Sequence, residues 1–132
     1  MSVITITIKD ETTGGKTVNE IQVTFANELT TVKEIIETRV AAEVKTYNNK
    51  MPEYFHGLVQ PSDAEKTLNG YKLKDRKKVD SEKQSLIALD AFQKNGFFIL
   101  IDNIQSESLE QMLVINDKTN ISFIKLTPHV GG

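Results

Sequence analysis

Apolar and polar residues alternate strictly at the start of the chain. Val3-Ile4-Thr5-Ile6-Thr7-Ile8 puts Ile4, Ile6 and Ile8 on one face and Val3, Thr5 and Thr7 on the other, the pattern of a half-buried strand. Asp10 to Lys16 is polar and carries Gly14-Gly15, which suit a turn. A second alternating run sets Ile21, Val23 and Phe25 against Gln22 and Thr24, so the two segments predict an antiparallel hairpin. The period then changes. Thr31 and Glu34 have the spacing of a capping box, which satisfies free N–H groups at a helix start. Behind them Val32, Ile35, Ile36, Val40, Val44 and Tyr47 recur at helical spacing, with Lys33, Glu37 and Glu43 assigned to the other side. An amphipathic helix is expected to about Tyr47, ended by Asn48-Asn49, its apolar stripe laid on the isoleucine face of the hairpin.

Residues 48–95 are less regular. Met51 to Val59 is compatible with a short strand or turn, and Ser62 with Glu65 gives a second helix start for a short helix ending near Asn69-Gly70. Tyr71 to Val79 is basic, and Lys72 and Lys74 flank Leu73 in the alternation of an exposed edge strand. Asp80-Ser81 caps a clear helix through Leu86, Ile87, Leu89, Ala91 and Phe92, stopped by Asn95-Gly96. The continuous apolar run Phe97-Phe98-Ile99-Leu100-Ile101 predicts a buried central strand. A connector from Ser106 to Asp117 leads to a last strand, Ile121 to Leu126.

Composition narrows the chemistry. The chain has 132 residues, 39% hydrophobic and 26% charged, with a formal net charge of −2, which suits an ordinary single globular domain with no general pull toward nucleic acid or anionic membrane. There is no cysteine, which excludes disulfides, thiolate metal sites and a thioester carried on the chain's own sulfur. No signal-like opening and no run of transmembrane length is present, so a cytoplasmic location is expected. His56, in Tyr54-Phe55-His56-Gly57, suits a turn or packing position. The carboxylates of Asp63 and Glu65 are explained by a helix start. No nucleophile–base pair, metal cluster or phosphate loop is evident, so the chain is not expected to be an enzyme or to hold a metal or cofactor.

The chain ends in Gly131-Gly132 after a strand-breaking Thr127-Pro128-His129-Val130. A glycine pair without side chains can thread a narrow channel and present its carboxylate to a nucleotide. The order strand, strand, helix, insert, strand, connector, strand, Gly-Gly resembles the β-grasp fold of the ubiquitin-like family. The resemblance is most specific from Gly96-Phe-Phe-Ile-Leu-Ile-Asp-Asn-Ile-Gln to Phe123-Ile-Lys-Leu-Thr-Pro-His-Val-Gly-Gly, and covers about residues 2–47 and 96–132. It implies an α+β domain over residues 1–132, a mixed sheet packed on a central helix, with a partly helical insert at 48–95 and a flexible tail at 127–132.

The resemblance also implies a role. A ubiquitin-like modifier has its terminal carboxylate, here that of Gly132, adenylated by an activating enzyme that uses ATP. The acyl group passes as a thioester to cysteines of activating and conjugating enzymes and then to a target lysine, and a deconjugating peptidase reverses the bond. The family docks through an apolar patch on its open sheet face, where Leu100, Ile124 and Leu126 fall. Pro128, His129 and Val130 would contact the cognate enzyme. The family's usual basic tail is replaced by this neutral, Pro-stiffened one, which fits a divergent bacterial cascade with dedicated enzymes. A monomer that binds neither nucleic acid nor membrane is expected. Two other roles fit the same pattern: a sulfur carrier whose terminus becomes a thiocarboxylate, and a binding module that is never conjugated.

Overall fold

The computed structural model describes residues 3–50, 54–55, 64–67, 70–73 and 80–125. Strands β1 (Ile4–Glu11) and β2 (Thr17–Phe25) form the expected hairpin, with Ile4 opposite Phe25, Ile6 opposite Val23 and Ile8 opposite Ile21. Its turn is closed by the Gly15 N–H donating to the Thr12 carbonyl at 2.9 Å, and Gly15 sits at φ 87°, a conformation glycine adopts without a Cβ penalty. A short strand, β3 (Leu29–Thr31), leads directly into helix α1 (Val32–Lys50). The Thr31 hydroxyl accepts from the Glu34 N–H at 3.1 Å, as the spacing requires, whereas the Glu34 carboxylate accepts from the Thr30 hydroxyl. The N–H groups of Val32 and Lys33 are taken by the carbonyls of Gln111 and Leu109. Asn48-Asn49 does not end α1, which continues to Lys50: asparagine is only a modest helix breaker, and Tyr47 just before it is fully buried.

In the middle of the chain, β4 (Tyr54–Phe55), β5 (Ala64–Thr67) and β6 (Gly70–Leu73) form a three-stranded antiparallel sheet in the order β4-β6-β5. This corrects two expectations. Ala64–Thr67 is a strand, not a helix, so Glu65 lies in a ladder opposite Lys72. Lys72 belongs to the middle strand, between Tyr54 and Glu65, not to an edge. The two-residue capping signal is local, and pairing with Gly70–Leu73 overrides it. Asp63 and Lys74 lie outside the described residues.

Helix α2 (Ser81–Gln93) begins as expected, with the Asp80 carboxylate accepting from the Glu82 N–H at 2.9 Å. It ends in a Schellman arrangement: Gly96 N–H donates to the Ala91 carbonyl at 2.8 Å and Asn95 N–H to that of Phe92 at 3.1 Å. Asn95 occupies the left-handed position at φ 61°. Strand β7 (Phe97–Ile101) follows, then β8 (Ile104–Gln105) across a turn in which Asp102 and Asn103 both have positive φ, 49° and 68°. Asp102 is tied to Asn120 by two bonds, N–H to carbonyl at 2.8 Å and carboxylate from N–H at 2.9 Å. Strand β9 (Met112–Val114) pairs with β3, and β10 (Ile121–Lys125) ends the described chain.

The main sheet has five strands in the order β2-β1-β10-β7-β8. Strands β1 and β10 are parallel at its centre, and every other neighbouring pair is antiparallel. Its inner face, with Ile6, Ile8, Val23, Ile99 and Phe123, is buried together with Ile35, Ile36 and Val40 of α1. Phe97 links the layers, its ring 5.5 Å from that of Phe123 and 5.7 Å from that of Phe92 on α2. Among the described residues no helix is long and apolar enough to cross a membrane.

Candidate functional site

Strand β7 alternates. Phe97, Ile99 and Ile101 are buried inward, so Phe98 and Leu100 turn to the opposite face, where they are half-buried. Strand β10 does the same, with Ile121 and Phe123 inward and Ser122 and Ile124 outward. The register sets Ile124 opposite Phe98 and Ser122 opposite Leu100. Leu100 and Ile124, both expected at a partner surface, are thus diagonal neighbours on one face, within reach of each other's side chains. Phe98 joins them and was not anticipated, although its parity with Leu100 marks it. Leu126 and the whole tail, including Pro128, His129, Val130, Gly131 and Gly132, lie outside the described residues, as does His56. The root of that tail is placed: Lys125 is opposite Phe97, on the strand paired to both β1 and β7.

The other concentration of chemistry lies inside. Asp10, Arg39 and Glu43 are all buried, Arg39 completely. Glu43 therefore does not face solvent: it lies in the buried stripe of α1 between Arg39 and Tyr47, because its carboxylate accepts from Arg39 Nε at 2.8 Å. Arg39 Nη1 and Nη2 reach the two oxygens of Asp10, and the guanidinium carbon lies 4.5 Å from the centre of the Phe123 ring. Asn19 adds a bond to Asp10 Oδ2 at 3.2 Å. Burial pulls the Arg39 pKa down. The hydrogen bonds that Arg39 donates to Asp10 and the charges of both carboxylates outweigh this, and the net direction is up. The cluster thus clamps α1 to β1 through the Arg39 guanidinium. Its signal in the sequence is one of phase: Asp10 continues the Ile4, Ile6, Ile8 alternation, and Arg39 and Glu43 fall in helical register with Ile36 and Tyr47.

No protein-family model, curated protein or solved structure matches this chain.

Proposed function

We propose that the chain is a ubiquitin-like modifier with a β-grasp body, conjugated to other proteins through Gly132. The observation that carries this reading is the strand order β2-β1-β10-β7-β8 around a parallel β1/β10 pair, with α1 following the first hairpin. In that arrangement the last strand occupies the middle of the sheet, and the chain beyond Lys125 runs on to Gly131-Gly132. An activating enzyme would join the Gly132 carboxylate to the α-phosphate of ATP, releasing pyrophosphate. A cysteine thiolate of that enzyme would displace AMP, and a target lysine amine would finally displace the thiol to leave an amide bond. With no cysteine of its own, the chain serves as the acyl group and supplies no nucleophile to the cascade. Phe98, Leu100 and Ile124 would form the outer-face patch for the partner enzymes.

Mass spectrometry tests the proposal. Trypsin cutting after Lys125 would leave Leu-Thr-Pro-His-Val-Gly-Gly on a modified lysine, and recovery of that adduct from other proteins is the expected result. Exchange of one terminal oxygen for sulfur on the free chain would instead identify a sulfur carrier. Partner binding and cellular role left intact after deletion of Gly132 would identify a binding module.

A further inference from the structure

Met112, Leu113 and Val114 of β9 include no charge and no proline, and among the described residues the strand pairs on one side only, with β3. The Ile115 N–H donates to the Glu28 carbonyl at 2.8 Å and the Val32 N–H to that of Gln111 at 3.2 Å, which fixes the phase of the ladder. Bonded and non-bonded pairs alternate between antiparallel strands. Thr30 and Leu113 therefore bond to each other, while Met112 and Val114 turn their N–H and C=O groups to the free side. Those groups have no partner among the described residues. The side chains are open as well: Met112 is 62% exposed and Val114 74%, and Leu29, opposite Val114 on the same face, is 52% exposed.

Proteins guard free strand edges with charge, proline, bulges or shortness. The edges of the main sheet follow that practice, β8 with two residues and β2 with an exposed Glu20, whereas β9 does not. A second β9 completes it by symmetry. Antiparallel pairing about a twofold axis at Leu113 sets Met112 of each copy opposite Val114 of the other, so every free N–H and C=O of the two strands finds a partner. On the exposed face the Met112 and Val114 side chains of the two copies become cross-strand neighbours beside Leu29. The ends of the strand match in charge. Exposed Glu110 precedes β9 and exposed Lys118 follows it, and antiparallel pairing brings each toward its opposite on the other copy rather than its own kind. We propose that the chain forms a twofold dimer in which β9 pairs with β9 of a second copy, joining two β3–β9 ribbons into one continuous sheet. The contact is far smaller than a standard interface, so the dimer is weak and the expected monomer is its dilute form. The ribbon does not include Phe98, Leu100 or Ile124, and the inference stands independently of the modifier reading.

Sedimentation of the full chain from about 10 μM to about 1 mM, with NMR over the same range, tests it. The expected result is an average mass climbing from the 14.8 kDa of one chain toward twice that value, while the amide resonances of Met112, Leu113 and Val114 move. Val114→Pro removes a free-edge N–H without touching the bonds to β3, and should raise the dissociation constant about tenfold with thermal unfolding unchanged. Val114→Lys, at an exposed position, reads the same contact where proline disturbs the ribbon, and should weaken it as much. Glu110→Lys should weaken the dimer about threefold, and adding Lys118→Glu should restore it. A mass that stays at 14.8 kDa throughout would overturn the proposal. Association weakened by Val114→Lys but untouched by a folded Val114→Pro would overturn it too, because the apolar faces would then be stacking without any pairing of edges.

Discussion

Arg39 on α1 grips Asp10 on β1 with two parallel hydrogen bonds, Nη1 to Oδ1 at 2.5 Å and Nη2 to Oδ2 at 2.6 Å. Neither side chain is reached by solvent to any useful extent, and Glu43 closes the cluster from the next turn of the helix. Taking three charges out of water costs several kcal/mol per ion, so the cluster is a poor source of net stability even though its geometry is good. What it does provide is a fixed relation between helix and sheet, because a bidentate fork satisfies its partner in one orientation only.

Breaking the clamp from one side should therefore hurt more than removing it. Asp10→Ala leaves a buried guanidinium short of its main partner and should lower stability by about 3 kcal/mol. Replacing all three residues together, Asp10→Val with Arg39→Met and Glu43→Leu, should return the protein to within about 1 kcal/mol of the parent. Urea unfolding curves for the three proteins measure both quantities. A triple variant as weak as Asp10→Ala would mean that the charges themselves are net stabilising.

Alkaline pH should leave the clamp intact. A cation whose folded pKa is raised contributes stability that is fully present below its unfolded pKa and lost only as pH climbs through the higher folded value. Arg39 is raised from an already very high value, so its contribution lies intact across neutral and moderately alkaline solution. The stability difference between the parent and Arg39→Gln should stay constant within about 0.5 kcal/mol from pH 7 to about pH 10. A difference that shrinks steadily over that window would show that Arg39 loses its proton there.

Much of this architecture was readable from residue pattern. The Ile4, Ile6, Ile8 alternation, the Val32 to Tyr47 stripe, the Asp80 cap and the Phe97 to Ile101 run each map onto an element of the expected type. The clamp shows in the sequence only as phase, because a polarity pattern sends every charge to solvent, whereas Asp10, Arg39 and Glu43 satisfy one another inside. The short strands β3 and β9 carry too few residues to display a period. Within the insert, the Ser62 and Glu65 spacing imitated a helix start where hairpin pairing with Gly70–Leu73 makes a strand. Of the candidate site, Leu100 and Ile124 could be placed on one face by parity alone, but their adjacency needs the β7–β10 register.

Leu100 should be separable from the core beside it. It is half-buried on the outer face, so Leu100→Ser should cost about 1 kcal/mol, whereas Phe123→Ser at a fully buried position should cost more than about 3 kcal/mol. Under the modifier proposal, Leu100→Ser would fold and yet yield fewer conjugates in its native cell, read by immunoblot against the tagged chain. An unchanged conjugate ladder would remove Leu100 from the partner surface.

Ser106 carries a buried hydroxyl with no partner among the described residues, and such a group costs about 1–3 kcal/mol. Ser106→Ala should therefore raise stability, by about 1 kcal/mol, in the free protein. Thermal unfolding of the parent and the variant measures the difference. A free protein destabilised by the substitution would mean that the hydroxyl is already satisfied.

The end of α2 offers a test of local backbone chemistry that touches no partner. Asn95 holds the left-handed C′ position at φ 61°, where an ordinary residue with a Cβ is strained by about 1 kcal/mol and glycine is not. Asn95→Ala should destabilise the protein by about 1 kcal/mol, and Asn95→Gly should match or exceed the parent despite the more flexible unfolded chain. Gly96 behaves differently although it is the next residue. A Cβ there would stand 3.1 Å from the Ala91 carbonyl oxygen, the acceptor of the Gly96 N–H, so Gly96→Ala must push the closing turn of α2 away from β7. Amide hydrogen exchange at residues 91–97 reads the distinction: the Asn95 variants should change global stability alone, whereas Gly96→Ala should also speed exchange in the cap. Identical exchange in the two alanine variants would mean that the cap tolerates the extra carbon.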